Sequence, residues 1–263
     1  MAEIHPSAIV DSRAELADDV HVGPFCVIDG PVRIGSGTRL KSHVVVEGQT
    51  IIGEGNTIFP FAVIGVVPQD LKFSGEPAQT IIGDNNIIRE SVTIHRGTAA
   101  SNQTVVGDQN LLMAYCHVAH DCVLGDHVIM ANAATLAGHV TVEDHATIGG
   151  LVGVHQFTTI GGHCYIGGGS MITKDVLPFV VVFSYPSVRV GAVNVIGMQR
   201  RGFDPEAIKL VKRAYRFIFR SGLSTSNAVK RIREELEPTP EIEHILDFIE
   251  KSDRGLLYDT AKN

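Results

Sequence analysis

Five histidines lie close to aliphatic residues that recur at a fixed spacing through the middle of the chain. They are His95, His117, His120, His139 and His155. A neutral imidazole near pH 7 can accept a proton from an alcohol or an amine. Asp121 directly follows His120, so its carboxylate could orient that ring or stabilise its charge. No serine or cysteine stands beside these histidines in a hydrolase motif, and the pattern therefore favours general-base transfer without a covalent acyl-enzyme.

The aliphatic residues near these histidines recur every six positions. A period of six fits neither an α-helix, with about 3.6, nor a plain strand, with about two, and it indicates a solenoid of short strands joined by corners. The residues in this phase are Ile4, Val10, Leu16, Val22, Ile28, Ile34, Leu40, Val46, Ile52, Ile58, Ile64, Ile82, Ile88, Ile94, Val106, Leu112, Val118, Leu124, Met130, Leu136, Val142, Ile148, Val154, Ile160, Ile166 and Ile172.

Three such units close a coil of 18 residues, and two excursions interrupt the period, at about residues 65–81 and 95–105. We expect each excursion to loop out of a single corner. The residues that then stack one coil apart on the same face are Ile64, Ile94, Val118, Leu136 and Val154. Neighbouring strands lie about 4.8 Å apart, so this edge spans roughly 19 Å. The register therefore predicts that the five histidines converge along one edge.

A second series of histidines provides a comparison, because its members are not expected to lie on the same edge. His127, His145 and His163 recur every 18 residues, but they fall on a different corner. They occupy the position at which other coils carry glycine or polar residues, which tolerate positive φ. We interpret them as corner residues, and a metal-binding ladder is the alternative.

The six-residue pattern stops after Ile172, and helical patterns follow an irregular connection. The sequence predicts a solenoid over residues 1–186 and a helical part over 187–263. The predicted helices run from Asp204-Pro205 to Gly222, from Ser224 or Thr225 to before Pro238, and from Thr239-Pro240 to Gly255. An N-cap residue followed by proline marks the first and third starts.

Composition excludes several classes of protein. The chain has 263 residues, a net charge of -7 and 44% hydrophobic residues, so wholesale disorder is excluded. No apolar run is long enough for a transmembrane helix, and the charged N-terminus does not resemble a signal peptide, so we expect a cytoplasmic protein. The acidic total disfavours nucleic-acid binding. Four cysteines without a CxxC pair predict reduced, buried thiols, and the lack of a Walker or GxGxxG loop predicts no cofactor.

Longer motifs link the chain to a known family. They are QDLK (69–72), GEP (75–77), IRESVTIHRGT (88–98), DQNLLM (108–113), HVAHDC (117–122), ATLAGHV (134–140), VHQF (154–157) and RRGF (200–203). Together they resemble the acyl-(acyl-carrier-protein)–UDP-N-acetylglucosamine O-acyltransferases, hexapeptide-repeat enzymes that begin lipid A biosynthesis. The resemblance implies a left-handed parallel β-helix followed by a small helical domain, and a homotrimer with sites between subunits.

The resemblance also implies roles for individual residues. His120 would be the general base, Asp121 would support it, and the N–H of Gly138 would donate to the thioester oxyanion. The implied substrate-binding residues are Gln69, Asp70, Lys72, His95, His117, His139, His155, Gln156, Asn194, Arg200 and Arg201. Gly168 matches the position that limits acyl-chain length in this family, and glycine there favours about fourteen carbons over about ten.

A basic segment matches the expected carrier protein. Residues 200–233 contain ten lysines or arginines and only two acidic residues, a balance of +8 within an acidic chain. A solvated helix face is the ordinary explanation of such a segment. With the resemblance, docking of acidic acyl carrier protein through Arg213, Arg216 and Arg220 is the better one.

Three segments depart from the family pattern and leave the acceptor and the reaction open. They are Phe183-Ser184-Tyr185-Pro186, Ile196, which replaces a glutamate, and Val66-Val67-Pro68. The acceptor could therefore be a 3-amino sugar nucleotide, which would give an amide. An acyl-CoA-dependent hexapeptide transferase, the later N-acyltransferase of the pathway and a non-enzymatic solenoid would also carry the six-residue repeat. A γ-type carbonic anhydrase would need zinc, for example on His117, His120 and His139.

Overall fold

The computed structural model describes residues 1–258, which form a three-sided parallel β-helix followed by helices. The first face contains Glu3–Ile4, His21–Val22, Arg39–Leu40, Thr57–Ile58, Ile87–Ile88, Leu111–Leu112, Ile129–Met130, Thr147–Ile148, Tyr165–Ile166, Val180–Phe183 and Arg189–Val193. The second contains Ile9–Val10, Val27–Asp29, Val45–Glu47, Val63–Val66, Thr93–His95, His117–Val118, Thr135–Leu136, Gly153–Val154 and Met171–Ile172. The third contains Glu15–Leu16, Arg33–Ile34, Gln49–Ile52, Gln79–Ile82, Gln103–Val106, Val123–Leu124, Thr141–Val142 and Thr159–Ile160.

The predicted register is confirmed on the second face. Ile64 pairs with Ile94, which pairs with Val118, and Val118 pairs with Leu136. Leu136 in turn pairs with Val154. These side chains are at most 2% exposed and line the interior of the coil. Burying one such side chain contributes about 1.5–3 kcal/mol, so the six-residue period is the main determinant of the fold.

Both excursions leave from the corner between the second and third faces, as expected. The first connects Val66 to Gln79, and the second connects His95 to Gln103. We call this corner, with residues 67–78 and 96–102 and the equivalent turns of the following coils, the excursion corner. Strand pairing continues across both excursions, with one register shift after Ile64, where Val66 pairs with His95, so the coils before and after each excursion remain hydrogen-bonded.

The six-residue phase ends at Ile172, but the coil itself continues. Val176 pairs with Ile160 and Val182 pairs with Ile166, each 16 residues later rather than 18. The last coil is therefore shortened by two residues, and this shortening hides it from a search with a fixed step of six.

A β-hairpin closes the solenoid at the predicted division near residue 186. Val180–Phe183 pairs in antiparallel fashion with Arg189–Val193, so the boundary falls inside the hairpin. Residues 189–193 thus belong to a sheet, although they were expected to precede or begin the helical part.

Four helices follow within the described residues: α1 (Val195–Arg200), α2 (Pro205–Phe219), α3 (Thr225–Glu235) and α4 (Pro240–Lys251). The last three were predicted. The side chain of Asp204 caps α2 and that of Ser224 caps α3. The short α1 was missed because six residues with a central glycine give no clear period.

Two predictions from composition concern membrane helices and cysteines. Among residues 1–258, no helix is long and apolar enough to cross a membrane. The four cysteines are free and buried, as expected. Burial raises the pKa of Cys116 to about 11 and that of Cys122 to about 12, so neither thiol beside His117 and His120 is activated as a nucleophile.

Candidate active site

A histidine–aspartate pair forms the centre of the excursion corner. His120 donates its Nδ1–H to Oδ2 of Asp121 at 2.8 Å. The His120 side chain is 15% exposed, and its Nε2 has no hydrogen-bond partner among residues 1–258. A carboxylate that accepts from Nδ1 leaves the lone pair of the ring on Nε2. The pair can therefore take a proton from a group placed next to Nε2.

Asp121 is completely buried, and the second excursion supplies donors to its carboxylate. Thr98 donates its backbone N–H at 3.0 Å and its hydroxyl at 2.7 Å, and Ser101 donates its hydroxyl at 2.5 Å. Burial raises the pKa of Asp121, but the hydrogen bonds from Ser101, Thr98 and His120 outweigh it and bring the pKa down to about 2. Sequence reasoning missed both hydroxyl residues. The only indication in the sequence was that the second excursion, which contains Thr98 and Ser101, lies one coil before Asp121.

His139 forms one wall beside the pair. Its ring stacks on Phe157 at 4.4 Å between centroids and meets the ring of His120 edge-on at 5.0 Å. Its Nδ1 lies 3.8 Å from Oδ2 of Asp121. Burial lowers the pKa of His139, and the charges of Asp121 and Asp70 oppose this effect. The ring is therefore held against the ring of His120 as a largely neutral polar group.

Two further histidines lie on the neighbouring coils. His95 is 3% exposed, and its ring meets that of His117 edge-on at 4.8 Å. Nδ1 of His117 lies 2.7 Å from the hydroxyl of Thr93. Burial lowers the pKa of His95 to about 4, with a smaller effect from His117 and His120, and burial also lowers the pKa of His117. Both rings are therefore uncharged at neutral pH.

The absence of a side chain at Gly138 makes room for the imidazole of His120. A Cβ there would lie 2.5 Å from Cε1 and 2.6 Å from Nε2 of His120. The Gly138 N–H donates to no acceptor within residues 1–258. In the neighbouring coils the same corner position carries His120 and Gln156, so the corner itself accepts a side chain. The missing side chain thus lets the imidazole of His120 lie directly against the backbone at Gly138, whose N–H is left without an acceptor within residues 1–258.

The remaining predicted residues of this corner are more exposed. Gln69 and Lys72 on the first excursion are exposed, and Asp70 is partly buried. His155 is exposed and donates its Nδ1–H to the backbone oxygen of Gln156 at 3.1 Å. The predicted convergence is thus confirmed for the rings at 95, 117, 120 and 139, whereas His155 shares the edge without touching those rings.

Comparison with known proteins identifies the family. Residues 175–257 match the family model described as UDP N-acetylglucosamine O-acyltransferase, domain 2, and residues 13–48 and 103–138 match that of bacterial transferase hexapeptide repeats. The acyl-(acyl-carrier-protein)–UDP-N-acetylglucosamine O-acyltransferase of Thermodesulfovibrio yellowstonii is 51% identical over 257 residues, which cover 97% of this chain and 99% of that protein. The chain belongs to the UDP-N-acetylglucosamine O-acyltransferase family.

Solved structures of UDP-N-acetylglucosamine acyltransferases share the whole fold. The protein from Bacteroides fragilis superposes with a TM-score of 0.95 at 44% identity and covers 97% of this chain and 99% of its own. The protein from Francisella novicida gives 0.95 at 40% identity, with 98% and 95% covered. The left-handed parallel β-helix with a helical C-terminal part, expected from the sequence, is therefore the fold of this acyltransferase-family chain.

Three residues of this acyltransferase-family chain that are expected to bind the nucleotide lie apart from the histidines of the excursion corner. Asn194, Arg200 and Arg201 line a cleft of about 690 Å³ beside the first face, away from the excursion corner. Asn194 caps α1 through its side chain and donates its Nδ2–H to the backbone oxygen of His163 at 2.9 Å. Within one protomer these residues do not join His120.

The histidine series used as a control occupies the corner between the third and first faces. His127, His145 and His163 all have positive φ, as predicted for corner residues. Adjacent rings lie 4.6 Å and 4.7 Å apart between centroids. Nδ1 of His145 accepts a hydrogen bond from Arg201 at 2.5 Å, so this ring also orients a residue expected to bind substrate.

The residues implied in chain-length selection and docking lie on other parts of the surface. Gly168 lies at the corner between the first and second faces, where a Cβ would be 3.0 Å from the backbone oxygen of Gly150. Arg213 and Arg216 are exposed along α2, and Arg220 is exposed at its C-cap. Arg213 lies near Glu235, whereas Arg220 donates to the hydroxyl of Tyr215 at 3.0 Å.

One group within the described part of the chain could hold a metal ion, and it overlaps the pair. Ligand atoms of His120, Asp121 and His139 lie within 4.8 Å of one another. His117 is not part of this group, which corrects the set suggested for zinc from the sequence. Because Asp121 already accepts hydrogen bonds from three residues, the geometry favours an oriented base over a metal site.

Proposed function

We propose that this protein transfers a (3R)-3-hydroxyacyl chain from acyl carrier protein to the 3-hydroxyl of UDP-N-acetylglucosamine, the first step of lipid A biosynthesis. The observation that carries the proposal is the His120–Asp121 pair, in which Nε2 is left as a proton acceptor next to the free N–H of Gly138. The family relationship supports the same reaction.

The reaction follows from these groups. Nε2 of His120 removes the proton of the sugar 3-hydroxyl while that oxygen attacks the thioester carbonyl carbon. The Gly138 N–H donates to the oxyanion that develops, a type of contact worth about 3–4 kcal/mol per donor in other enzymes. The C–S bond then breaks, and the carrier thiolate takes the proton from the imidazolium. The products are a 3-O-acyl ester and the free carrier thiol.

Residues around the pair are suited to holding the sugar and the acyl substituent. We assign this role to Asp70, Lys72, His117, His139 and Gln156, together with the neighbouring Gln69 and His95. The uncharged, polar imidazoles at positions 95, 117 and 139 support hydrogen bonding to hydroxyl and amide groups. On the first excursion Lys72 is exposed, and the charge of Asp70 acts on His139.

The nucleotide end needs a second copy of the chain. We assign it to His155, Asn194, Arg200 and Arg201, but the last three lie in a cleft away from His120 within one protomer. A homotrimer with sites between subunits, as the family resemblance implies, would bring that cleft of one protomer to the excursion corner of another. Two arginines and an asparagine in a cleft suit a diphosphate and a base.

Docking of the carrier protein is assigned to Arg213, Arg216 and Arg220. Arg213 and Arg216 are exposed on α2, the exposed Arg220 directly follows it, and an acidic partner would approach such a surface favourably. Glu234 and Glu235, just beyond the basic segment counted from the sequence, pair with Lys230 and Arg231. The effective charge of the docking face is therefore concentrated on α2 rather than spread over the helical part. We place the protein in the cytoplasm, where carrier protein and nucleotide sugar are available.

Gly168→Met should shorten the preferred acyl chain from about fourteen carbons towards about ten, because the side chain would fill the end of the channel. A competition assay with 3-hydroxyacyl carrier proteins of ten, twelve and fourteen carbons measures the change. Gly168→Ala is the matched control, since its Cβ meets the same oxygen of Gly150 but does not reach further. An unchanged preference in the methionine variant would reject Gly168 as the chain-length determinant.

A zinc-dependent reaction is the second candidate, since His120, Asp121 and His139 could hold a cation. One assay tests both. Purified protein receives 3-hydroxytetradecanoyl carrier protein with either UDP-N-acetylglucosamine or its 3-amino analogue, and products are identified by mass spectrometry, with and without a chelator. We expect chelator-resistant acylation of the hydroxyl. Acylation of the amine alone would reassign the acceptor, whereas stoichiometric zinc with chelator-sensitive activity, or product from acyl-CoA only, would contradict the proposal.

A further inference from the structure

Two residues of the second excursion, residues 96–102, donate hydrogen bonds to the carboxylate of Asp121. We infer that Thr98 and Ser101 are positioning residues for acyl transfer: they hold Asp121 ionised and oriented, and thereby keep the proton of His120 on Nδ1. This inference rests on the proposed function, since it assumes that His120 acts as the base. The excursion thus supplies the Asp121 carboxylate with hydrogen-bond donors that the regular six-residue units do not supply.

The donors divide between the two oxygens of the carboxylate. Oδ1 accepts the backbone N–H of Thr98 at 3.0 Å, the backbone N–H of Ser101 at 3.3 Å and the Ser101 hydroxyl at 2.5 Å. Oδ2 accepts the Thr98 hydroxyl at 2.7 Å and the Nδ1–H of His120 at 2.8 Å. With both oxygens engaged, the carboxylate cannot rotate away from the imidazole.

These donors decide the charge of a group that is cut off from water. A buried carboxyl without donors takes up a proton, because desolvation penalises the charged form. A protonated Asp121 would donate to Nδ1 of His120, and the ring would then carry its own proton on Nε2. That tautomer cannot accept a proton from the sugar. The titratable groups that face Asp121 are His120 at 2.8 Å, His139 at 3.8 Å and the buried thiol of Cys122.

The excursion is itself held rigidly enough to position a carboxylate. The N–H of Asn102 donates to the oxygen of Thr98 at 2.7 Å, and the oxygen of Asn102 accepts the N–H of Gln79 at 2.9 Å. The carboxylate of Glu76 on the first excursion accepts the N–H of Ala99 at 3.3 Å. Thr98 is only 8% exposed, so its hydroxyl serves Asp121 and is not available to a substrate.

The two hydroxyls are not equivalent. The hydroxyl of Ser101 has one proton and a second acceptor, the backbone oxygen of Gln103 at 2.8 Å. The hydroxyl of Thr98 has Oδ2 of Asp121 as its acceptor. We therefore expect loss of the Thr98 hydroxyl to have the larger effect, and loss of both to have an effect greater than either alone.

The kinetic test uses Thr98→Val, which keeps the shape of the side chain and the backbone donor. One hydrogen bond to a charged group corresponds to about a tenfold effect, so kcat should fall about tenfold with an unchanged KM for UDP-N-acetylglucosamine. The pKa of Asp121 should rise from about 2 by about one unit, which leaves the carboxylate ionised at neutral pH, so the pH–rate profile should change only below about pH 4 and the loss in kcat at neutral pH reports orientation. Thr98→Ser should restore most of the rate and the profile. A change in KM alone, or no rescue by serine, would overturn the inference.

The matched control is Thr80→Val on the preceding coil. Thr80 is fully buried, and its hydroxyl has no hydrogen-bond partner within residues 1–258, so this change of the same kind should leave kcat and the pH profile unaltered. An equal loss in both valine variants would show that a buried β-branched replacement is harmful by itself and would contradict a specific role for Thr98.

A second measurement separates this inference from the proposed function. Nitrogen chemical shifts of ¹⁵N-histidine-labelled protein at high pH report which ring nitrogen of His120 carries the proton, with His120→Asn used for assignment. We expect the Nδ1–H form in the unmodified chain and an increased share of the Nε2–H form in Thr98→Val,Ser101→Ala, because the carboxylate, still ionised at that pH, is no longer held beside Nδ1. An unchanged tautomer would overturn the inference even in an active enzyme. A shifted tautomer in a protein that acylates neither acceptor would support the positioning role and reject the proposed function.

Discussion

His120→Ala should lower kcat for acyl transfer at least about a hundredfold, because the variant lacks the only group of the corner that combines a free Nε2 with an orienting carboxylate among residues 1–258. General-base catalysis by a side chain typically contributes about 10²–10⁴-fold. The fold should survive, since Asp121 keeps its donors from Thr98 and Ser101. Steady-state kinetics with saturating carrier protein, together with circular dichroism, measures both expectations.

The control for this variant is His5→Ala in the first coil. His5 is exposed, and its ring bonds only to Ser7 within the described residues, so activity should remain at the wild-type level. Nearly full activity of His120→Ala would remove His120 as the base. His139, whose Nδ1 also lies near Asp121, would then be the next histidine to replace.

Gly138→Ala should have the second largest effect. Its Cβ would lie 2.5–2.6 Å from the ring atoms of His120, closer than carbon and nitrogen atoms can approach, so the imidazole must move. Displacement of a catalytic group by about 1 Å can cost about a hundredfold in rate, and we expect a loss of that order in kcat. Backbone strain is not the cause, because the equivalent corner positions carry His120 and Gln156.

A double variant tests this explanation. If Gly138→Ala acts by displacing His120, then His120→Ala,Gly138→Ala should be no slower than His120→Ala alone, because the displaced group is already gone. Additive losses would instead indicate that Gly138 contributes independently, for example through its N–H to the oxyanion. A wild-type rate in Gly138→Ala would show that acyl transfer does not require the observed position of the His120 ring.

Much of the site's location could be predicted from the sequence. The period of six sets which residues point inwards, and each coil is hydrogen-bonded to the next, so the spacing of Ile94, Val118 and Leu136 places their neighbours one above another. For this reason His95, His117, His120 and His139 were expected along one edge, and their rings meet there. Local capping signals likewise predicted the starts of α2, α3 and α4.

Other features depended on contacts that do not follow the six-residue period. The shortened last coil and the hairpin of Arg189–Val193 fell outside a fixed step of six. The placement of Asn194 and Arg201 beside the first face depends on how the chain turns after that hairpin. Thr98 and Ser101, which donate hydrogen bonds to Asp121, lie in an excursion. The conformation of that excursion is not set by the six-residue repeat.

The sequence by itself thus determined the solenoid, its register and the edge on which the histidines lie, because inward aliphatic residues and coil-to-coil hydrogen bonds recur identically along the axis. Only the tertiary structure decided which polar atoms meet at that edge. Hydrogen bonds between Asp121 and an excursion 20 to 23 residues earlier depend on side-chain directions at an irregular turn. Such contacts are unique events in the chain, and a pattern that repeats carries no information about them.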